Sequence, residues 1–310
     1  MMHRKALTVM ELLVIVTVIV ILISLLAVAL LSAREATRKV TCSSNLRDLG
    51  LALQNYEAAF RCMPLSGYGW SAHSRLMPYL GEEQRYAKIQ FGVSYEDAIN
   101  EPHVAVPRLL ICPSDPETTS SENRWAANYL GIAGGGVAPA AERSGLLISY
   151  DRRGDVVRFS SVADGLSNTL AFTEAMAYMG RRVEGSIIRK GIIYKTSRRF
   201  ALPEELSPFR EECFNSELGN TARLGLGSYW PDPSIGVTRI CCIYPKQPRN
   251  CLNGRSFSSA MLAPSSAHSQ LLLCVFADAH VQSLSDDISE EVWQALATRN
   301  GREQIAMPVD

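Results

Sequence analysis

Apolar residues are spread along this chain in two unlike ways. From position 12 to 31 the sequence reads LLVIVTVIVILISLLAVALL, twenty residues with no charge and only Thr17 and Ser24 as polar positions. At about 1.5 Å per residue such a helix is roughly 30 Å long, enough to cross the hydrocarbon core of a bilayer. His3, Arg4 and Lys5 precede the run and Arg34, Arg38 and Lys39 follow it. Counting those charges does not decide orientation. The short N-terminal stub stays in the cytoplasm more readily than a following globular region, so the expectation is N-in, C-out.

After residue 31 the pattern becomes one-sided. SAREATRKVTCSSNLRDLGLALQNYEAAF contains no proline, and Leu46, Leu49, Leu53, Tyr56 and Phe60 recur at intervals of three and four, forming one apolar stripe. The helix is therefore expected to run from about Thr8 to Phe60, a rod of roughly 80 Å whose second half is cradled by a globular head. Gly50 costs roughly 1 kcal/mol there against Ala and marks a candidate kink. Pro64 and Gly67 end the element.

From 61 to 310 the apolar runs are short and bounded by turn residues: 109–111, 145–149, 170–172, 187–194 and 271–276 read as strands. GSIIRKGIIYKTSRRF is expected to form a hairpin around Lys190-Gly191, and LLLCVFADAHVQSL another around Asp278-Ala279. SEEVWQALATRN reads as a helix capped by Ser289, with Glu290 and Glu291 favouring its dipole and Gly301 beyond its end. The expected fold class is α+β: a long N-terminal helix packed on an antiparallel β-sheet head.

Composition narrows the function. Lys and Arg number 31, as do Asp and Glu, so there is no basic surplus for binding nucleic acid and no acidic excess typical of a disordered chain. The residue that needs an explanation is Glu11, which opens the apolar run. A carboxylate at membrane depth is costly unless it is paired, neutral or interfacial. A cleaved export signal needs an apolar stretch of only about 7–15 residues, and this run continues past its small-x-small site at Ala27-Val28-Ala29. A plain anchor accounts for the length and flanks but gives Glu11 no purpose.

The segment RKALTVMELLVIVTVIVILISLLA resembles the prepilin signal of type IV pilins and type II secretion pseudopilins. The resemblance implies a leader over 1–6, cleavage by prepilin peptidase between Ala6 and Leu7, and methylation of Leu7. It also makes Glu11 the fifth mature residue, held by a neighbouring subunit's terminal amine, and residues 7–60 the pilin helix with its membrane half at about 12–31. Ala6 stands where that family has Gly, and Leu7 where it has Phe.

Further fragments resemble the DUF1559 branch of prepilin-like envelope proteins, known also by an H-X9-DG motif. They are AREATRKVTCSSNLRDLGLALQNYEAAF, GWSAHSRLMPYLGEE, LLICPSDPE, NYLGIAGG, FSSVADGLSNTLAFTEAM and SSAHSQLLLCVFADAHVQSLSDDISEEVWQALATRNG, in that order. His268 and Asp278 carry the motif spacing, but Ala279 replaces its glycine. An Asp-Gly hairpin turn needs positive φ, so the turn here is expected to be of another type or strained. His268 and Asp278 are read as residues that tie loops by hydrogen bonds. The same fragments imply a disulfide between Cys42 on the rod and Cys112 before Pro113, with Cys62 as the competitor for Cys42. Cys213, Cys241, Cys242 and Cys251 form a second candidate group, and Cys274 reads as a small buried apolar residue.

No C-x-x-C occurs and Cys241-Cys242 are adjacent, which is poor zinc-ligand spacing, so neither a metal nor another cofactor is expected. Structural calcium at Asp151 and Asp155, or at Asp286 and Asp287, is the one exception weighed, although the twelve-residue loop pattern is absent. GIAGGGVAP lacks the ending of a phosphate loop and reads as a surface loop; G-x-S-x-G and H-E-x-x-H are absent, so no enzyme is expected. Tyr229-Trp230 reads as a core anchor rather than a ligand platform.

The resemblances together imply a filament subunit held in the bacterial inner membrane by one span, with its head outside the cytoplasm. Its partners would be prepilin peptidase, a pilus or type II secretion assembly platform, and copies of itself or sister subunits. The alternatives are an anchored minor pilin or adhesin binding a surface polymer, and an exported enzyme using the segment only as signal or anchor.

Overall fold

The structure, a computed structural model, describes residues 9–303 except 68, 99–100, 102–103, 121–122, 136–142, 149–154, 179–190, 201, 217–220, 223–224, 242–248, 255, 270 and 286. The leader with Ala6 and Leu7, and the Lys190 half of the expected hairpin, lie outside the described residues.

Helix α1 (Val9–Phe60) runs unbroken for 52 residues, about 78 Å. The hydroxyls of Thr17 and Ser24 donate to the carbonyls of Val14 and Ile21, at 2.8 and 2.7 Å, so the two polar interruptions are satisfied within the helix itself. All residues from 9 to 34 are exposed. Burial begins at Cys42 and continues with Leu46, Leu49, Gly50, Ala52 and Leu53. Phe60, expected on the buried stripe, is exposed, and its ring packs along the helix on Tyr56, ring centroids 4.5 Å apart. Arg61 ends the element with φ 56° while its N–H donates to the Glu57 carbonyl.

Five strands make the main sheet: β1 (Tyr129–Gly134), β2 (Leu170–Glu174), β4 (Arg239–Cys241), β7 (Leu271–Phe276) and β8 (Val281–Ser285), in the order β4-β1-β2-β7-β8. A smaller sheet joins β3 (Ile193–Lys195), β5 (Asn250–Asn253) and β6 (Ser256–Met261) in the order β3-β5-β6. The sheets are mixed rather than antiparallel, because β1 pairs with β4 and β3 with β5 in parallel. Each parallel partner arrives through a long crossover, which leaves no local signature in sequence.

The main sheet is covered on both faces. Alternating residues of β7 divide between two cores: Leu273 and Val275 pack with Leu46, Leu49 and Leu53 of α1, while Leu272, Cys274 and Phe276 pack with Trp293 and Leu296 of the C-terminal helix (Glu290–Leu296). As expected, Ser289 caps this helix, its side chain accepting from the Val292 N–H. Gly50 lies where α1 crosses β7: an added Cβ would meet Val275 Cγ2 at 2.7 Å and Ala279 Cα at 2.9 Å. The glycine serves close approach rather than a kink.

Several expected elements differ. Residues 109–111 follow a 3-10 turn (Arg108–Leu110) rather than forming a strand. The stretch from 145 lies alongside β1, with Gly145 and Leu147 N–H groups donating to Ala133 and Ile132 carbonyls, without becoming a named strand. The start of GIAGGGVAP is buried inside β1, not on a surface loop; its small residues make room for the Leu147 side chain, which a Cβ on Gly131 would meet at 2.5 Å. Trp230 is a buried anchor whose Nε1 donates to the Val104 carbonyl at 2.7 Å.

Candidate functional site

Two regions carry the chemistry. The first is the free half of α1. Its apolar side chains, among them Ile15, Leu22 and Leu26, are exposed, and the helix is long and apolar enough to cross a membrane. A signal sequence meets the same description. Glu11 is exposed in its first turn.

The second lies inside the head where α1 meets the sheet. Cys42 comes from α1, Cys112 from the segment after the 3-10 turn, Glu174 from the last position of β2, and His268 from the loop entering β7. All four are buried, and one ligand-type atom from each falls within 4.8 Å of the others. The Cys42 and Cys112 sulfurs are 2.7 Å apart, and both residues are free cysteines. His268 Nε2 is 3.7 Å from Cys112 Sγ and 3.6 Å from Glu174 Oε1.

A surrounding shell holds these groups. Glu35, two turns before Cys42 on the same face of α1, places Oε1 2.6 Å from His268 Nδ1 and accepts from Ser114 Oγ. Glu174 Oε2 accepts from Ser266 Oγ at 2.8 Å, while Glu174 Oε1 has no hydrogen-bond partner among the described residues. The Cys112 N–H donates to Asn128 Oδ1 at 2.8 Å, and Asn128 in turn donates to Asp115 and to the Ala175 carbonyl. The C-P-S-D turn is thereby locked onto the end of β2.

The electrostatics follow from burial and crowding. Contact with Cys42, then burial, pushes the Cys112 thiol far up, and burial raises the Glu174 carboxyl. The Cys112 side chain, with Glu174 and Glu35 beyond it, raises the His268 imidazole to about 9 against the opposing effect of burial. Burial, with the two thiols adding to it, pushes the Tyr129 hydroxyl far up as well.

The structure thus brings together Cys42, Cys112 and His268 of the residues singled out from sequence. It separates His268 from Asp278, which lies at the other end of β7 with Oδ1 2.6 Å from His280 Nδ1. Ala279 between them has φ 69°, a left-handed conformation that costs a non-glycine residue energy. Cys62 is free and lies beyond the head-packed part of α1. Of the second cysteine group, Cys213 and Cys251 are joined in a disulfide, linking the helix Leu206–Asn215 to β5, and Cys241 is buried. Cys242, Asp151 and Asp286 lie outside the described residues; Asp155 pairs with Arg143 at 3.3 Å. Sequence reasoning missed Glu174 and Glu35, since nothing local distinguishes either from the other acids.

A family model described as a protein of unknown function (DUF1559) matches residues 31–291. No curated protein matches the chain, and no solved structure does.

Proposed function

The chain belongs to the DUF1559 family, and we propose that it acts as a pilin-like subunit whose activity is assembly. The observation that carries this reading is the single continuous helix, one half bare and apolar and the other half packed into the head. A segment that only delivered the head for export would not need to be the same rigid rod that forms the head's core.

In this reading prepilin peptidase cuts between Ala6 and Leu7, Leu7 is methylated, and the helix rests in the inner membrane with the head outside the cytoplasm. An assembly platform of a pilus or type II secretion-like system then extracts it, and the bare halves of many copies, or of sister subunits, pack into a filament core. Burial of apolar surface and close packing hold that core together. Glu11 supplies register. The new α-amine lies about one turn from it, and side-by-side packing pairs one subunit's carboxylate with its neighbour's ammonium. Breaking such a pair by removing one partner costs about 3–5 kcal/mol.

Replacement of Glu11 tests the proposal, because the residue is remote from the head. Glu11→Ala is expected to leave the unfolding midpoint of the head unchanged and to shift the protein from the sheared-filament fraction to the membrane fraction. Normal filament incorporation by the variant would contradict the mechanism.

A further inference from the structure

We infer that Cys42, Cys112, Glu174 and His268 together bind one divalent transition-metal ion of the zinc class, which closes α1 onto the sheet. The inference does not depend on filament assembly. Two thiolates, an imidazole and a carboxylate are a donor set suited to zinc, and four protein donors make a closed, structural site rather than a catalytic one.

The geometry supplies more than a cluster of donors. Glu174 is 2% exposed, and its Oε1, without a hydrogen-bond partner among the described residues, faces His268 Nε2 at 3.6 Å. A disulfide between the two cysteines would account for the sulfurs alone and leave Glu174 Oε1 facing His268 Nε2 at 3.6 Å, beyond hydrogen-bond distance. A metal accounts for all four. Around zinc, with bonds of about 2.3 Å to sulfur and about 2.0–2.1 Å to nitrogen and oxygen, the ligand atoms stand roughly 3.3–3.8 Å apart. The 3.7 Å separation of His268 Nε2 from Cys112 Sγ and its 3.6 Å separation from Glu174 Oε1 already lie in that range. The two sulfurs, at 2.7 Å, must part by about 1 Å.

The outer shell is also in place. A metal-bound histidine normally donates its other ring nitrogen to a carboxylate, as His268 Nδ1 is placed to do with Glu35, and a ligating carboxylate is itself hydrogen-bonded, as Glu174 is by Ser266. Beside His268 a groove of about 490 Å³, lined by Leu31, Ser32, Glu35, Lys39 and Ser269, gives an ion a route from the surface. Binding releases the thiol protons, which lets the metal hold thiolates where burial disfavours them.

The test uses full-length protein in detergent, reduced and titrated with Co²⁺. The expected result is one ion per chain, with the intense visible bands of tetrahedral cobalt and a near-ultraviolet thiolate-to-cobalt charge-transfer band, both lost on adding Zn²⁺. Cys112→Ser should remove about half of the charge-transfer band, since the Cys42 thiolate remains. Because a core cysteine variant can fail to fold, Glu35→Gln, on a half-exposed side chain, serves as the second probe: it should weaken Co²⁺ binding about 10–100-fold with unchanged circular dichroism. No bound cobalt, a spectrum lacking the thiolate band, or full affinity in Glu35→Gln would overturn the inference. So would a Cys42–Cys112 disulfide found by peptide mapping of protein isolated without reductant.

Discussion

His73 is wholly buried, its ring 5.3 Å from that of Phe172 and its Nε2 2.9 Å from the Tyr129 carbonyl oxygen, while Nδ1 has no hydrogen-bond partner among the described residues. Burial lowers its pKa to about 4, so the folded protein holds the ring neutral where the unfolded chain protonates it. The sign follows: the unfolded state binds the extra proton, so stability is full above pH 6.5 and falls as pH drops towards 4, by about 2 kcal/mol at pH 5. Asp115, whose carboxyl burial pushes up, acts in the opposite sense, so the contrast between variants is the readout. Chemical denaturation at pH 7 and pH 5 should show a larger loss for the wild type than for His73→Gln; equal losses would place the proton elsewhere. Single residues were legible in sequence only where their chemistry is local. The Ser289 cap and the strained Ala279 turn depend on neighbours two or three positions away. Glu174 depends on Cys42, Cys112 and His268, each more than sixty residues distant, and no local pattern announces it.

Among the elements, α1 and the β7–β8 hairpin were legible because each is defined by its own periodicity, 3.6 in the rod and 2 in the strand. The strands β3 and β4, three residues each, were not, since a parallel partner reached by a long crossover determines them. Nor was the role of Gly50 visible: its helix-weakening cost could be counted from sequence, but the proximity of Val275 and Ala279 belongs to the packing of two elements. Gly50→Val is expected to force α1 away from β7 and to lower stability by about 1–3 kcal/mol, as overpacking does. Thermal or urea unfolding of the variant checks this, and an unchanged midpoint would mean the helix and sheet have room that the structure denies.

At the scale of the whole molecule, the rod belongs to two environments. Its second half is part of the head's core, with Leu46, Leu49 and Leu53 fully buried, so the head holds the rod rigidly. Its first half exposes a continuous apolar surface, Val9 and Met10 being 80% and 72% exposed, which water does not tolerate and which lipid or sister helices would cover. Both a membrane span and a filament core satisfy that surface, and the proposed function uses them in turn. What separates a pilin-like subunit from an anchored or secreted head is therefore where the mature chain begins. Mass spectrometry of the N-terminal peptide from protein isolated from its own cells measures this most directly. A chain starting at a methylated Leu7 is the predicted result; one starting at Leu30, or retaining Met1 to Ala6 in assembled filaments, would contradict the account.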